Sequence, residues 1–200
     1  YEFIYPNYNI LKKFENPTKL GGNFSFNSSG YFKNYNTNIF EKVIINDLFF
    51  NSNNNYTKSG FKNNYNVQIK NVNTDSVKSK KYKNTRNYKI ASLIEYNSSY
   101  PLKNEGVNYN DILKPKVSLK FSPNDNKDMK NEDRRIDINN IFSMNRLGIN
   151  DAVEGGASLT YGLEFLKTNK FTEKDFFEAK IASIFRAEKN KNLPSNSKLG

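Results

Sequence analysis

Hydrophobic and polar side chains alternate along this chain with the two-residue period of extended strands, most cleanly at residues 158–165. Leu159, Tyr161, Leu163 and Phe165 fall on one face there, and Ser158, Thr160, Gly162 and Glu164 on the other. One face suits an apolar medium and the other tolerates water. The pattern recurs at residues 23–27, with Phe24 and Phe26 together, and at 64–70, where Tyr65, Val67 and Ile69 oppose Asn66, Gln68 and Lys70. At residues 88–96, Tyr88, Ile90, Ile94 and Tyr96 share a face while Leu93 sits on the polar side. Val117, Leu119 and Phe121 oppose Ser118 and Lys120, and Phe177, Ala179, Ile181, Ser183 and Phe185 oppose Glu178, Lys180, Ala182 and Arg186. Residues 38–50 form a less regular, more apolar strand region. Seven or eight strands between turn-rich clusters predict an all-β protein.

The connections at 51–59, 72–85, 98–114 and 122–135 are long and polar. Loops of this length are uncommon in compact soluble sandwiches and routine on outer-membrane barrels. They predict an antiparallel transmembrane β-barrel segment with long polar loops. Pro101, Pro115 and Pro123 stand at strand margins, where a residue without a backbone donor fits. The aromatic residues are 13 Tyr and 16 Phe, many near strand ends. In a barrel they would form interfacial girdles; in any sheet they are good strand formers.

Composition bears on this reading in one respect. With 36% hydrophobic residues and a mean hydropathy of −0.82, the chain is too polar for a helical membrane protein. Its longest apolar stretch, residues 43–50, is interrupted by Asn46 and Asp47, far short of the roughly 18 apolar residues a spanning helix needs. A barrel strand crosses with about 9–11 residues, of which only alternate ones meet lipid.

The net charge of +11, from 31 Lys and Arg against 20 Asp and Glu, would attract nucleic acid or lipid phosphate. The lysines are dispersed through connections such as residues 78–83 and form no helical stripe. Over-use of Lys, Asn, Ile, Tyr and Phe fits AT-rich coding, so no nucleic-acid partner is expected. The absence of His and Cys removes Ser-His-Asp and thiol nucleophiles, the H-E-x-x-H zinc site and thiolate clusters from this sequence. Gly155-Gly156 lacks the continuation of a P-loop. Residues 124–128 open like a calcium loop, yet Met129 stands where its glycine belongs and Arg135 where its closing glutamate belongs. No catalytic residue, metal or cofactor is expected.

One segment has chemical character. Residues 139–165 read N-N-I-F-S-M-N-R-L-G-I-N-D-A-V-E-G-G-A-S-L-T-Y-G-L-E-F. Asn145, Arg146, Asp151 and Glu154 bring both charge signs near Gly148, Gly155 and Gly156, which tolerate positive φ. The turn reads as structural, with Arg146 reaching Asp151 or Glu154 and the glycines making a tight reversal into the next strand. Contact with a substrate phosphate or sugar is the alternative.

This block resembles the signature of the LptD family of outer-membrane lipopolysaccharide-assembly proteins, N-[IL]-F-S-x-N-R-x-G-x-[ND]-x-x-E-G-G-x-S-L-x-x-G-L-E-[YF]. Residues 1–8, 29–38, 112–124 and 192–200 resemble further segments of the same barrel domain in alphaproteobacterial-type members. The resemblance implies that residues 1–200 are a middle section of the carboxy-terminal barrel, without the amino-terminal periplasmic jellyroll, the closing strands or the cysteines of some members. It implies a non-enzymatic translocon component in the cell outer membrane that inserts lipopolysaccharide into the outer leaflet through a seam between the first and last strands. The partners implied are lipopolysaccharide, an LptE-type plug lipoprotein, an LptA-type periplasmic bridge and outer-membrane lipid. Leu159, Tyr161, Leu163, Phe165, Ile181 and Phe185 are then expected to face lipid. Another outer-membrane barrel, such as a porin or TonB-dependent receptor, and a soluble secreted β-sandwich adhesin remain as alternatives.

Overall fold

The structure is a computed structural model that describes residues 2–15, 21–35, 38–123 and 127–197. Its described residues form β1 (Glu2–Phe14), β2 (Gly22–Tyr35), β3 (Ile39–Ser52), β4 (Asn55–Tyr56), β5 (Lys62–Val77), β6 (Asn87–Ser99), β7 (Leu102–Glu105), β8 (Tyr109–Ser122), β9 (Gly156–Asn169) and β10 (Asp175–Arg186), with a single 3-10 turn at Ser195–Ser197. The strands make one antiparallel sheet in the order β1-β2-β3-β5-β6-β8-β9-β10, while β4 pairs with β5 and β7 with β8. β1 and β10 stand at its two edges, so the sheet is not closed among the described residues. The all-β, antiparallel expectation holds, and the sheet has the meander form of a barrel segment.

The long strands have 12 to 16 residues, more than the roughly 9–11 a tilted strand needs to cross a bilayer. Cross-strand pairing puts Leu48 opposite Ile69, Ile94 opposite Phe121, Leu119 opposite Leu159 and Leu159 opposite Phe185, so these side chains share one face. Ile69, Ile94, Leu119, Phe121, Tyr161, Leu163, Ile181 and Phe185 are exposed on it. Across β6, β8, β9 and β10 this outer face is largely apolar and uncovered among the described residues, while on β2, β3 and β5 a hydrogen-bonded polar row of Ser28, Asn46 and Asn71 crosses it. Leu159 and Phe165 lie on it too, half-buried by their neighbours.

Aromatic rings mark both ends of this face. Phe24, Phe50 and Tyr65 follow one another across β2, β3 and β5, with centroids 4.7 and 5.7 Å apart. Phe32 and Phe40 pair at 4.9 Å at the other end of β2 and β3. Ten residues separate Phe40 from Phe50, which at ~3.3 Å per residue and a tilt of ~40° sets the two rows about 25 Å apart.

The inner face carries Val43, Ile45, Asp47, Gln68, Lys70, Val72, Leu93, Glu95, Ser118, Lys120, Ser158 and Thr160, all buried. Its cover is chain that leaves the sheet from a single end. Neighbouring strands alternate in direction, so the connections 78–86 and 123–155 and the chain after β10 all emerge where β5, β8 and β10 finish.

Three readings of the sequence change here. The predicted connection 72–85 is shorter, because β5 continues to Val77. Asn71, Asn73, Thr74, Asp75 and Ser76 look like loop residues, yet pairing with β3 on one side and, as far as Thr74, with β6 on the other holds them in a strand. The connection 98–114 is largely the β7–β8 hairpin. Ser158 and Thr160, read as a face that tolerates water, are 8% and 0% exposed because a segment lies over them. Residues 2–14, in which the alternation was not read, form β1. The calcium-loop comparison rests on residues 124–126, which lie outside the described residues.

Candidate functional site

The chain leaves β8 at Ser122 and Pro123, a residue with no donor to extend a ladder. From Lys127 to Gly155 it contains no strand and folds back over the inner face. Asp137 starts a single turn by accepting from the amides of Asn139 (2.8 Å) and Asn140 (3.3 Å). Asn145 closes the next loop, its side-chain amide donating to the Ile149 carbonyl at 3.1 Å, while Gly148 takes φ +62° at the crown. A side chain at Gly148 would pay the left-handed penalty.

The segment brings its own core. Met129, Ile136, Ile141, Leu147, Ile149 and Ala152 pack with Leu193 from beyond β10, and Phe142 joins them against Ala182 and Ile184 of the inner β10 face. Phe142 also approaches the wall at Gly162, where a Cβ would lie 3.0 Å from its ring and 2.6 Å from the Ile181 carbonyl. Two hydrogen bonds tie in the tail: the Met129 amide donates to Asn192 O (2.8 Å) and the Ile136 amide to the side-chain Oγ of Ser197 (2.9 Å). The luminal segment is thus a small folded unit.

Polar anchors fasten this unit to the wall. Arg146, 2% exposed, donates to Ser158 Oγ at 2.5 Å and Thr160 Oγ1 at 3.2 Å, and its Nε is 3.1 Å from Glu154. Glu154 also pairs with Arg186 of β10. Burial pulls the Arg146 pKa below its ordinary value. The wall returns two lysines: Lys70, paired with Asp47 at 2.7 Å, donates to Asn150 O at 2.7 Å, and Lys120, 3.2 Å from Glu95, donates to the carbonyls of Ser143 and Met144.

Asp151 anchors the other side. It accepts from Tyr82 Oη at 2.7 Å and Lys127 at 2.6 Å, with Lys81 at 3.2 Å. Burial would raise its pKa, but the bonds from Lys127 and Tyr82 outweigh that and hold it below the usual carboxylate range. The Tyr82 hydroxyl is pushed up by burial and by Asp151. Tyr82 also packs on the inner cluster of Val43, Ile45 and Val72.

The sequence-predicted residues therefore come together, with a different division of labour. Arg146 meets Glu154; Asp151 belongs to Tyr82, Lys81 and Lys127 instead. Gly148 and Gly156 use positive φ, +62° and +83°, and Gly155 does not. Residues 145–156 turn at 146–147 and 150–151 and lie over the inner face, with Leu147, Ile149, Ala152 and Val153 between the charges buried. Sequence reading missed Lys70, Tyr82, Glu95, Lys120 and Lys127. Lone charges within apolar alternation at Asp47, Lys70, Glu95 and Lys120 were the available signal.

A family model described as "LptD: LPS transport system D" matches residues 62–200, from the first residue of β5 through the whole luminal segment. The chain belongs to the LptD family. No curated protein matches it. Membership gives the chain a role in lipopolysaccharide transport and assembly in the outer membrane, and sets aside the porin, receptor and adhesin readings. It also locates the LptD signature physically, as the segment that packs inside the sheet and the strand that receives it.

Proposed function

We propose that this LptD-family chain forms a middle section of a transmembrane barrel in the cell outer membrane that inserts lipopolysaccharide into the outer leaflet without chemical catalysis. The observation that carries this reading is the contrast between the two faces of one sheet. The outer face exposes Ile94, Leu119, Phe121, Tyr161, Leu163, Ile181 and Phe185 and carries aromatic pairs toward both ends of β2 and β3, as lipid-facing barrel walls with interfacial aromatic girdles do. The inner face is polar, ion-paired and covered by the luminal segment.

Leu159, Tyr161, Leu163, Phe165, Ile181 and Phe185 face lipid in this proposal. Asn145, Arg146, Gly148, Asp151, Glu154, Gly155 and Gly156 serve assembly, since their charges are already paired within the protein and with the wall. Lipopolysaccharide reaches the barrel through an LptA-type bridge and a jellyroll, and an LptE-type lipoprotein occupies the barrel beside the luminal segment. The test is depletion of the full-length protein. Surface lipopolysaccharide should fall and sensitivity to large antibiotics should rise; unchanged surface lipopolysaccharide would overturn the proposal.

A further inference from the structure

The polar row on the outer face shortens its apolar height. Tyr8 Oη lies 3.3 Å from Ser28 Oγ, which donates to Asn46 Oδ1 at 2.7 Å. The Asn46 amide donates to Asn71 Oδ1 at 3.2 Å, and the Asn73 amide donates to the same oxygen at 2.6 Å. Ser28 stands opposite Asn46, and Asn46 opposite Asn71, so the chain of hydrogen bonds crosses β1, β2, β3 and β5 at one level of the sheet.

On one side of the row β5 stays polar: its next outward positions are Asn73 and Asp75, and Lys42 of β3 stands opposite Asp75. On the other side lie Ile69, Val67 and Tyr65 of β5, with Leu48 and Phe50 of β3; Ile69 and Leu48, next to the row, are exposed. The unbroken apolar run of β5 therefore goes only from Tyr65 to Ile69, between Asn63 and Asn71. On β8 the outward run goes from Leu113 to Phe121, and on β9 from Ala157 to Phe165. At ~3.3 Å per residue and a tilt of ~40°, these runs give about 10 Å of apolar wall on β5 and about 20 Å on β8 and β9.

We propose that the β2–β5 side of this wall is a membrane-thinning surface, where the lipid headgroup layer and its water descend to the row of Asn46 and Asn71. Amide groups are tolerated in hydrocarbon only when satisfied. Among the described residues the Asn46 and Asn73 amides each donate one of their two hydrogens, which leaves the other for water or a headgroup. The polar surface also runs on through Asn73 and Asp75 towards the strand end, as a lowered membrane boundary requires, instead of forming an island within apolar residues. A short apolar wall is matched by thinning of the bilayer beside it. Thinning shortens the apolar path that a polar headgroup crosses, and so weakens the barrier to lipid movement on this side of the barrel. The proposal rests on the outer-membrane barrel reading above.

The test places a nitroxide, carried on an introduced ketone-bearing amino acid, at Ile44 or at Leu163 of the full-length protein in dioleoylphosphatidylcholine bilayers. Ile44 is one outward position past the row on β3, and Leu163 lies within the long run of β9. Collision with oxygen reports hydrocarbon, and collision with a water-soluble nickel chelate reports the headgroup layer. The nickel-to-oxygen ratio should be at least fivefold higher at position 44. Making the row apolar with Ser28→Val, Asn46→Leu and Asn71→Leu should lower that ratio at least threefold, at an unchanged folded fraction on heat-modifiability gels. If the triple variant folds poorly, Asn71→Leu alone takes its place. Oxygen dominant at both positions, a position 44 shielded from both reagents by a covering protein, or indifference to the row would overturn the thinned surface and leave the barrel standing. Nickel access at Leu163 as well would overturn both.

Discussion

Arg146 lies 3.1 Å from Glu154 beneath the luminal segment and at the same time bonds Ser158 and Thr160, two successive inward positions of β9. One side chain thus joins the start of the LptD signature to the strand that ends it. Removing one member of a buried pair leaves the other uncompensated, at a cost of about 3–5 kcal/mol. Arg146→Ala should therefore lower the folded fraction on heat-modifiability gels, with antibiotic leakiness following in proportion, and Arg146→Lys should restore part of it. A variant that folds to normal levels yet loses export would place Arg146 on the transport path instead.

The in-out assignment predicts different costs on adjacent positions. Leu163→Arg should destabilise by about 2–4 kcal/mol if it sits near the bilayer midplane, while Lys180→Gln, on the inner side of β10 and exposed, should be nearly neutral. Thr160→Arg is expected to be severe as well, because the new cation would be buried against Arg146. Urea midpoints in detergent would measure all three, and equal values for Leu163→Arg and Lys180→Gln would reverse the assignment.

Among the glycines, backbone conformation sets the order. Gly148→Ala and Gly156→Ala should each cost roughly 1–2 kcal/mol, since both positions hold left-handed φ with open space around the Cβ direction. Gly155→Ala should cost less. Gly162→Val should be the most damaging, because its Cβ would meet the Ile181 carbonyl at 2.6 Å and Ala182 Cβ at 2.8 Å. The same urea midpoints rank them.

Acid should loosen the luminal segment at Asp151. Its folded pKa is lowered, so the stability it contributes is complete above the ordinary carboxylate range and is lost as pH falls through the folded value. Protease access to the segment around residues 149–153 should rise in that acid window, and Asp151→Asn should show the raised access already at neutral pH. Access that does not change with pH in the wild-type protein would mean that the Tyr82 and lysine contacts do not hold the segment.

The alternation of Leu159, Tyr161, Leu163 and Phe165 determined a strand, its two faces and the all-β class, because side-chain direction in a strand follows from local geometry alone. The spacing of Arg146, Glu154 and the glycines likewise made the signature visible. Residues 71–76 were not legible as strand, since polar side chains on both faces carry no period and only pairing with β3 and β6 holds them extended. Nor was the burial of Thr160 or Lys70 legible: a polar inward residue looks the same in sequence whether it meets water or a folded segment. Tertiary structure alone decided that residues 127–155 fold back over the sheet and which of Asp151 and Glu154 Arg146 meets. Each depends on contacts between residues far apart in the chain, such as the 80 positions between Lys70 and Asn150, and no local pattern encodes such a distance.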